Sequence, residues 1–304
     1  MNNHIERGYL PSQIVEVIDS FMASCGGLND VFELPLPKLV EASTHKFIIF
    51  NQKKKPYAFL ILSSSKSPDS VFENARKAKE IAELLPDNLA SSILVPNLCS
   101  YSGGKSFSVG MFYRTFSKNM LIRKLQLILT RKSMLRWLYE LNELTLSKAS
   151  DSEIASEFVS PLEFIVNHPK ISQNAKDIAR KALYQLSINL WQPYMVMAHN
   201  DLWYGNFLID NDNPYGMPFK IIDWEGSRLR GHGFYDLIRL AYSVSLSKDS
   251  FNEELEKHFR LFECSKIQSK FYLLAALGSL GSNLGNWQEK RFVDTVNESL
   301  RYID

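Results

Sequence analysis

Three oxygen-bearing side chains in the second half of the chain are spaced as a phosphate-transfer site requires. Asp201 and Asn206 lie five residues apart in the polar segment HNDLWYGNFLID (199–210), which ends in an apolar run. An acid and an amide so spaced on a loop can serve one phosphate, the acid holding a hydroxyl nucleophile and the amide oxygen binding a hard cation. Asp223 follows the apolar pair Ile221-Ile222, so its carboxylate would emerge from a buried strand. Mg²⁺ takes one or two oxygens from protein and the rest from phosphate and water, which makes Asn206 and Asp223 the predicted metal ligands.

The order of these residues resembles the pattern of the aminoglycoside phosphotransferase and choline kinase-like enzymes, which are relatives of the protein kinases. The pattern is HxDxxxxN (199–206), an apolar strand, a hairpin, IDWE (222–225) and a later acid at Asp236. HxDxxxxN alone arises often by chance, but its ordered pairing with IDWE is hard to obtain that way. The resemblance implies an α+β, bilobal protein-kinase-like fold, with a small β-rich N-lobe that carries one helix and a larger, mainly helical C-lobe.

The resemblance also implies a role for each motif residue. Asp201 would accept the proton of the substrate hydroxyl, and Asn206 and Asp223 would bind magnesium. Trp224 and Glu225 stand where a protein kinase has Phe-Gly, which favours the branch that acts on small molecules. The alternative is that a His-Asn-Asp turn caps a helix and that a lone acid ends a strand.

Two further residues are predicted to support the catalytic loop. By the resemblance, His199 packs beneath the loop as a neutral imidazole with one donor and one acceptor nitrogen. Asp236 would accept backbone hydrogen bonds from the loop; equally, it is an ordinary acid at a helix N-terminus, where the helix dipole favours it. Trp203 and Glu225 are the predicted contacts of the acceptor substrate, although core packing is the commoner role of an aromatic side chain.

The composition favours a soluble protein without a nucleic-acid partner. The chain has 304 residues, 45% of them hydrophobic, which predicts one large bilobal unit or two domains. Its 35 basic and 33 acidic residues nearly balance, with no basic clustering expected of a nucleic-acid binder. The first residues lack the apolar run of a signal peptide. The longest apolar stretch, 271–281, is shorter than the ~20 residues that cross a bilayer. A cytoplasmic location without a membrane span follows; the oligomeric state is open.

Strand and helix patterns place the N-lobe over 1–115 and the C-lobe over 116–304. The predicted N-lobe elements are a helix over 11–25, a hairpin of 45–50 and 56–62, an amphipathic helix over 71–85, and a second hairpin of 93–98 and 106–113. The predicted C-lobe helices include 134–145, 175–190, 251–262 and 290–303. In the resembled family the C-lobe helices enclose the acceptor substrate.

The nucleotide contacts are the point at which the chain departs from the family. Met111 and Tyr113 fall in the connector between lobes, where backbone groups would pair with an adenine ring. The third strand, 56–62, lacks the lysine that normally reaches the α- and β-phosphates. Lys66 lies just beyond it, with Glu73 as the predicted partner on the following helix; an exposed loop lysine is an equal alternative.

No glycine-rich loop precedes the first hairpin. Ser43 and Thr44 are the predicted phosphate contacts there, with hydroxyls and backbone amides that would cover the phosphates less tightly than glycines. Lys53 to Lys55 are further candidates, although a solvated turn is the simpler interpretation of three lysines.

The sequence therefore favours an enzyme that uses ATP and Mg²⁺ to phosphorylate a hydroxyl of a small polar molecule, with a sugar or amino-sugar as the preferred acceptor. A choline or amino-alcohol kinase is one alternative. A catalytically weak, kinase-like binding module is another, and its sole support is the missing strand lysine.

Overall fold

The computed structural model describes residues 28–33, 44–51, 53–282 and 288–303. The helix predicted over 11–25 and the predicted contact at Ser43 lie outside these residues. Contacts along the chain define two compact units. The N-terminal unit comprises Met1–Phe116 and Phe207–Glu225, and the C-terminal unit comprises Ser117–Asn206 and Gly226–Asp304. The lobe boundary after residue 115 stays a prediction, and the segment Phe207–Glu225 groups with the N-terminal unit.

The N-terminal unit contains a five-stranded antiparallel sheet in the order β1-β2-β3-β5-β4. Its strands are β1 (Leu28–Glu33), β2 (Thr44–Asn51), β3 (Pro56–Ser63), β4 (Leu98–Ser102) and β5 (Lys105–Met111). Because side chains alternate between the two faces of a strand, every second residue of the three central strands enters the core. These core residues are Phe47, Ile49, Ala58, Leu60, Phe107 and Val109.

The strand predicted over 93–98 is wrong. Ile93 makes only an isolated bridge to Ile221, and the strand β4 begins at Leu98. Pro96 lies between them, and a proline has no N–H to donate to a ladder. The turn that joins β4 to β5 uses Gly103 and Gly104 at φ +57° and +73°, a conformation that favours glycine.

One long helix and a second, smaller sheet complete the described N-terminal unit. Helix α1 (Ser70–Leu84) buries Val71, Ala78 and Ile81, in keeping with the predicted amphipathic pattern, and a short helical turn (Asp87–Ala90) follows. The second sheet has the order β10-β9-β6, with β6 (Arg114–Thr115), β9 (Phe207–Ile209) and β10 (Phe219–Ile221). Strand β10 ends two residues before Asp223, which therefore emerges from a buried strand.

The C-terminal unit is mainly helical. Its helices are α2 (Met120–Thr145), α3 (Ser160–Asn167), α4 (Gln173–Ser187), α5 (Gly233–Ser243), α6 (Lys248–Leu261), α7 (Lys266–Gly281) and α8 (Glu289–Ile303), and a short turn (Asp151–Glu153) runs into a π-helix (Ile154–Val159). A small sheet in the order β11-β8-β7 contains β7 (Ser147–Lys148), β8 (Tyr194–Ala198) and β11 (Arg228–Gly231).

Helix α7 is the centre of the C-terminal core. Every side chain from Phe271 to Leu277 is buried, as expected of a helix that is apolar on all sides. A Cβ at Gly278 would lie 2.2 Å from the carbonyl oxygen of Pro161, so this glycine permits the close approach of α3 and α7. None of the helices in the described part of the chain is long and apolar enough to cross a membrane.

Candidate active site

The predicted catalytic loop follows strand β8 and ends in a 3₁₀ turn at Tyr204–Asn206. Asp236, in the first turn of α5, holds this loop in place. Its carboxylate accepts backbone N–H bonds from His199 at 2.6 Å, Asn200 at 3.2 Å and Leu202 at 3.4 Å. Asp236 is only 2% exposed, and desolvation raises the pKa of its carboxyl against the lowering effect of the three backbone bonds. The carboxylate thus satisfies loop donors that are cut off from water.

His199 lies beneath the same loop and is fully buried. Its Nδ1 accepts a 3.3 Å hydrogen bond from the backbone N–H of Asp201. Accepting this bond requires a lone pair on Nδ1, which a neutral imidazole with its proton on Nε2 supplies. The ring therefore fixes the backbone of Asp201 rather than acting on a ligand.

Asp201 and Asn206 are bonded to each other within the loop. The Nδ2 of Asn206 donates to the backbone oxygen of Asp201 at 2.9 Å and to its carboxylate Oδ2 at 3.0 Å. Asn206 is 6% exposed, whereas the Asp201 side chain is 43% exposed. Because both bonds use the amide nitrogen of Asn206, its Oδ1 is the atom suited to a cation. The pair therefore presents an oriented carboxylate next to an amide oxygen.

The turn that carries Asp223 lies in the N-terminal unit and is held by α1. Asp223 has φ +68°, a left-handed conformation that is uncommon outside glycine. The next N–H, that of Trp224, donates to the side-chain oxygen of Asn74 at 3.0 Å. Lys77, three residues along α1, donates from Nζ to the carbonyl oxygen of Glu225. Two side chains of one helix thus fix the backbone on the C-terminal side of Asp223.

No protein-family profile matches the sequence, and no curated protein matches it. The GDP complex of wild-type aminoglycoside 2'-phosphotransferase-IIIa is similar with a TM-score of 0.54 at 12% identity, over 96% of this chain and 97% of that chain. Choline kinase LicA from Streptococcus pneumoniae is similar with a TM-score of 0.50 at 14% identity, over 96% and 99%. A choline/ethanolamine kinase family protein from Mesorhizobium loti gives 0.50 at 14% identity, over 89% and 88%.

The chain has the protein-kinase-like fold. The α+β, bilobal fold class predicted from the motifs is confirmed, as is the resemblance to choline kinases and aminoglycoside phosphotransferases at the level of fold. At these identities the likeness concerns the fold alone, and the roles of the site residues stay predictions.

Near the start of α1, Glu73 is bonded to an arginine of its own helix. Glu73 pairs with Arg76 on the same helix at 2.9 Å, and Arg76 also reaches Glu80. Lys66 is an exposed residue of the turn before α1, and Thr44 opens strand β2 opposite Ser63. The phosphate contacts of Lys66 and Thr44, and the pairing of Glu73 with Lys66, stay predictions.

Lys77 and Asn74 were not predicted from the sequence. Desolvation and the neighbouring Asp223 raise the pKa of the Glu225 carboxyl, and Lys77 lowers it. The three charged groups therefore lie close together in the N-terminal unit, although Glu225 was predicted to contact the acceptor. Lys77 lies one helical turn after Glu73, but only the folded chain shows which side of α1 meets the Asp223 turn.

The predicted adenine contacts lie at the end of β5. The backbone N–H of Met111 donates to the Asn97 side chain at 3.2 Å, so an adenine ring would have to displace Asn97 to use this donor. The Tyr113 ring lies 5.7 Å from the Nζ of Lys220, and desolvation together with Asp210 raises the pKa of the Tyr113 hydroxyl. Tyr113 thus belongs to a charged cluster of the N-terminal unit.

Arg239 is a third residue that was not predicted from the sequence. One guanidinium nitrogen forms an ion pair with Oδ1 of Asp201, and another donates to the Tyr235 hydroxyl at 3.2 Å. Burial lowers the pKa of Arg239, but Tyr235 and Asp201 raise it more, so the net pKa lies above its ordinary value. The signal was present in YDLIRL, where Asp236 and Arg239 are three residues apart on one helix face.

A cavity of about 440 Å³ opens beside this loop in the C-terminal unit. Trp203, predicted to contact the acceptor, lines it together with Tyr204, Arg239, Tyr242, Glu298 and Tyr302. Its size falls within the ~300–1,000 Å³ common for small-molecule sites. Because Arg239 both lines the cavity and binds Asp201, a ligand in this cavity lies next to the predicted catalytic carboxylate.

Proposed function

We propose that this protein is a phosphotransferase that transfers the γ-phosphoryl group of ATP to a hydroxyl of a small polar molecule. The observation that supports it most is the Asp201–Asn206 pair, in which the carboxylate is oriented by the Asn206 amide and by Arg239, a residue that lines a cavity. In phosphoryl transfer a protein contributes mainly by positioning the reactants and stabilising charge. The names of structures with the same fold, choline kinase and aminoglycoside phosphotransferase, support the same reaction class.

Asp201 is the proposed acceptor of the hydroxyl proton. Arg239 engages Oδ1 and Asn206 engages Oδ2, so the carboxylate is oriented from two sides. Each oxygen of a carboxylate has a further lone pair, which leaves room for the substrate O–H. The two partners would thus aim the hydroxyl oxygen at the phosphorus.

The proposed magnesium ligands are Oδ1 of Asn206 and the carboxylate of Asp223. Both are oxygen donors, which suits a hard cation that keeps phosphate and water in its other positions. Among the described residues no group of three or more His, Cys, Asp or Glu side chains could hold a metal ion by itself. Bound here, Mg²⁺ would neutralise charge on the transferring phosphate.

Lys77 is proposed to replace the missing strand lysine. An ammonium group has three donors, and the bond to the Glu225 carbonyl uses one of them. The two others, with the positive charge, are available to phosphate oxygens beside Asp223. Asp223 and Glu225 put two carboxylates at this turn, so a cation is also needed there to limit their repulsion.

The cavity favours an acceptor that carries a positive charge. Four aromatic rings line it, those of Trp203, Tyr204, Tyr242 and Tyr302, and Glu298 adds a carboxylate, while the positive charge of the lining Arg239 is paired with Asp201. Aromatic faces and a carboxylate both attract an ammonium group. An amino-sugar meets this description, and so does a choline-like amino alcohol, which is the second candidate; a neutral sugar meets it less well.

ADP release in the presence of Mg²⁺ tests the proposal. The purified chain is given ATP, or GTP in parallel, with amino-sugars, neutral sugars, and choline or ethanolamine as separate sets of acceptors. We expect turnover with one of the two cationic sets. Absence of both magnesium-dependent nucleotide binding and turnover would instead favour the non-catalytic binding module.

A further inference from the structure

Helix α2 carries an unusual concentration of exposed apolar side chains in its first three turns. Leu121, Ile122, Leu125, Ile128 and Leu129 are exposed by 73%, 52%, 58%, 45% and 71%. At ~100° per residue these five side chains fall within one sector of the helix surface. We call this set the α2 face. Single exposed leucines are normal, but a contiguous set marks an interaction site.

The surroundings of the α2 face are basic. The sequence from Ser117 to Tyr139 contains Lys118, Arg123, Lys124, Arg131, Lys132 and Arg136 and no Asp or Glu. The whole chain has a net charge of only +2, so this positive charge is local. Lys118, Lys124 and Lys132 are exposed, and their aliphatic stems can lie along an apolar surface while the ammonium groups reach outward.

The helix is formed before any partner binds. Asn119 caps it by accepting the N–H groups of Leu121 at 3.0 Å and Ile122 at 3.2 Å. Leu127 and Met134 on its other side are buried in the C-terminal unit. A partner would therefore meet a fixed apolar face and would not pay for helix formation.

We propose that the α2 face binds the surface of an anionic membrane. A preformed helix with an apolar face and Lys or Arg beside it lies in the interface between headgroups and acyl chains. The leucines would enter the apolar layer, while the lysines contact anionic headgroups. A symmetric pairing of two copies would instead bring the same six basic residues together, and like charges oppose that contact.

Flotation of the full chain with lipid vesicles tests this site. Vesicles of phosphatidylcholine alone are compared with vesicles that also contain phosphatidylglycerol, at low and high salt. We expect binding to the anionic vesicles and weaker binding at high salt, since surface charges are screened. Binding that is equal on both vesicle types, or absent from both, would overturn the proposal.

Paired variants locate the binding to α2. Lys124→Ser with Lys132→Ser should weaken binding about 30-fold, since each basic residue near such a surface contributes about fivefold. A separate variant, Leu125→Gln with Leu129→Gln, should lose most of the vesicle binding that wild type shows. Lys181→Ser with Lys290→Ser and Leu190→Gln, which alter exposed residues elsewhere, are the matched controls. Arg123 is left unchanged because its guanidinium lies 5.7 Å from the Tyr204 ring.

The variants also separate a membrane from a protein partner. All the altered side chains are exposed, so the melting temperature should not change. Light scattering gives the oligomeric state of wild type and of the leucine variant. If wild type is a dimer that does not bind vesicles and the leucine variant is a monomer, the face is a self-association surface and the membrane proposal is wrong. Vesicle binding that is equal in wild type and both α2 variants would also refute it.

Discussion

Asp201 differs from the other acids of the candidate site because two side chains hold its carboxylate while almost half of the side chain stays exposed. This combination suits a group that must be oriented and must still reach a substrate. A carboxylate that only capped a turn would not need an arginine partner from another element. The residues around Asp201 can therefore be tested separately for chemistry and for positioning.

Replacing Asp201 by Asn should abolish turnover and leave nucleotide binding nearly intact. The amide keeps the shape of the side chain but cannot accept the hydroxyl proton, and general-base catalysis contributes about 10²–10⁴-fold. ADP release gives kcat, and the thermal shift with MgATP gives binding. A kcat similar to that of wild type would remove Asp201 from the catalytic role.

Arg239→Gln tests the positioning role. We expect kcat to fall by about 10²-fold with little change in MgATP affinity, since a carboxylate that has lost one of its two partners is misplaced. The fall in kcat should be smaller when Arg239 is changed to Lys, which keeps the charge but not the fork of donors. Arg301→Gln, at an exposed position of α8, is the control. An unchanged kcat in Arg239→Gln would show that the ion pair is only structural.

Asp223→Asn is the sharpest test of the proposed metal ligand. Asn tolerates the left-handed conformation of this residue, so the backbone turn should persist while the charge is lost. We expect loss of the magnesium-dependent part of nucleotide binding, seen in titrations with and without Mg²⁺. Equal affinity of wild type and Asp223→Asn for MgATP would mean that Asp223 serves the turn alone.

At the scale of elements, α1 is the part of the N-terminal unit that controls the Asp223 turn. Asn74 and Lys77 both reach this turn from one side of the helix, while Arg76 and Lys79 face solvent and pair with acids of the same helix. The helix thus separates a site-facing side from a solvated side. Neighbouring lysines on it should behave differently.

Lys77→Ala should weaken ATP binding by at least tenfold and leave adenosine binding unchanged, because only the nucleotide carries the phosphates that Lys77 is proposed to meet. Lys79→Ala, two residues along the same helix and exposed, should have no effect on either ligand. Calorimetric titration with both ligands measures the difference. If Lys77→Ala binds ATP as wild type does, while Lys66→Ala does not, the phosphate contact belongs to the loop before α1.

At the scale of the whole molecule, a buried histidine predicts how stability depends on pH. His232 is 3% exposed and packs edge-on to Phe158, and desolvation together with the charge of Arg228 lowers its pKa to about 3. The unfolded chain binds a proton at His232 below its ordinary pKa near 6.5, whereas the folded chain does not. Stability from this group is therefore full above pH 6.5 and falls as the pH drops towards 3.

His232→Leu should make the free energy of unfolding less sensitive to pH in this window, because leucine cannot take up a proton. Denaturant titrations at several pH values between about 3 and 6.5 give the slope for both proteins. The control is Val244→Ala, at a buried apolar position of the same unit, which removes no titrating group and should keep the wild-type slope. A variant at His232 with the wild-type slope would assign the pH dependence to other groups.

The sequence by itself determined the local features of this protein. The motif resemblance predicted Asp201, Asn206, Asp223 and Asp236 as candidate site residues, and apolar periodicity located α1 and the central strands, because both depend on residues close together in the chain. The strand predicted over 93–98 does not form, although the segment is rich in apolar residues. A strand must pair with a neighbouring strand, and only the folded chain shows which strands are neighbours. Apolarity alone could not reveal that β4 starts after Pro96.

Tertiary structure alone decided which charged side chains meet. Lys77 and Glu225 are 148 residues apart, and Arg239 and Asp201 are 38 apart. No short-range spacing links such pairs, and a sequence lysine such as Lys66 is indistinguishable from Lys77 until the packed side of α1 is known. The sequence could not predict that the α2 face is exposed either. Leucines at helical spacing predict a buried stripe whether or not the fold covers them.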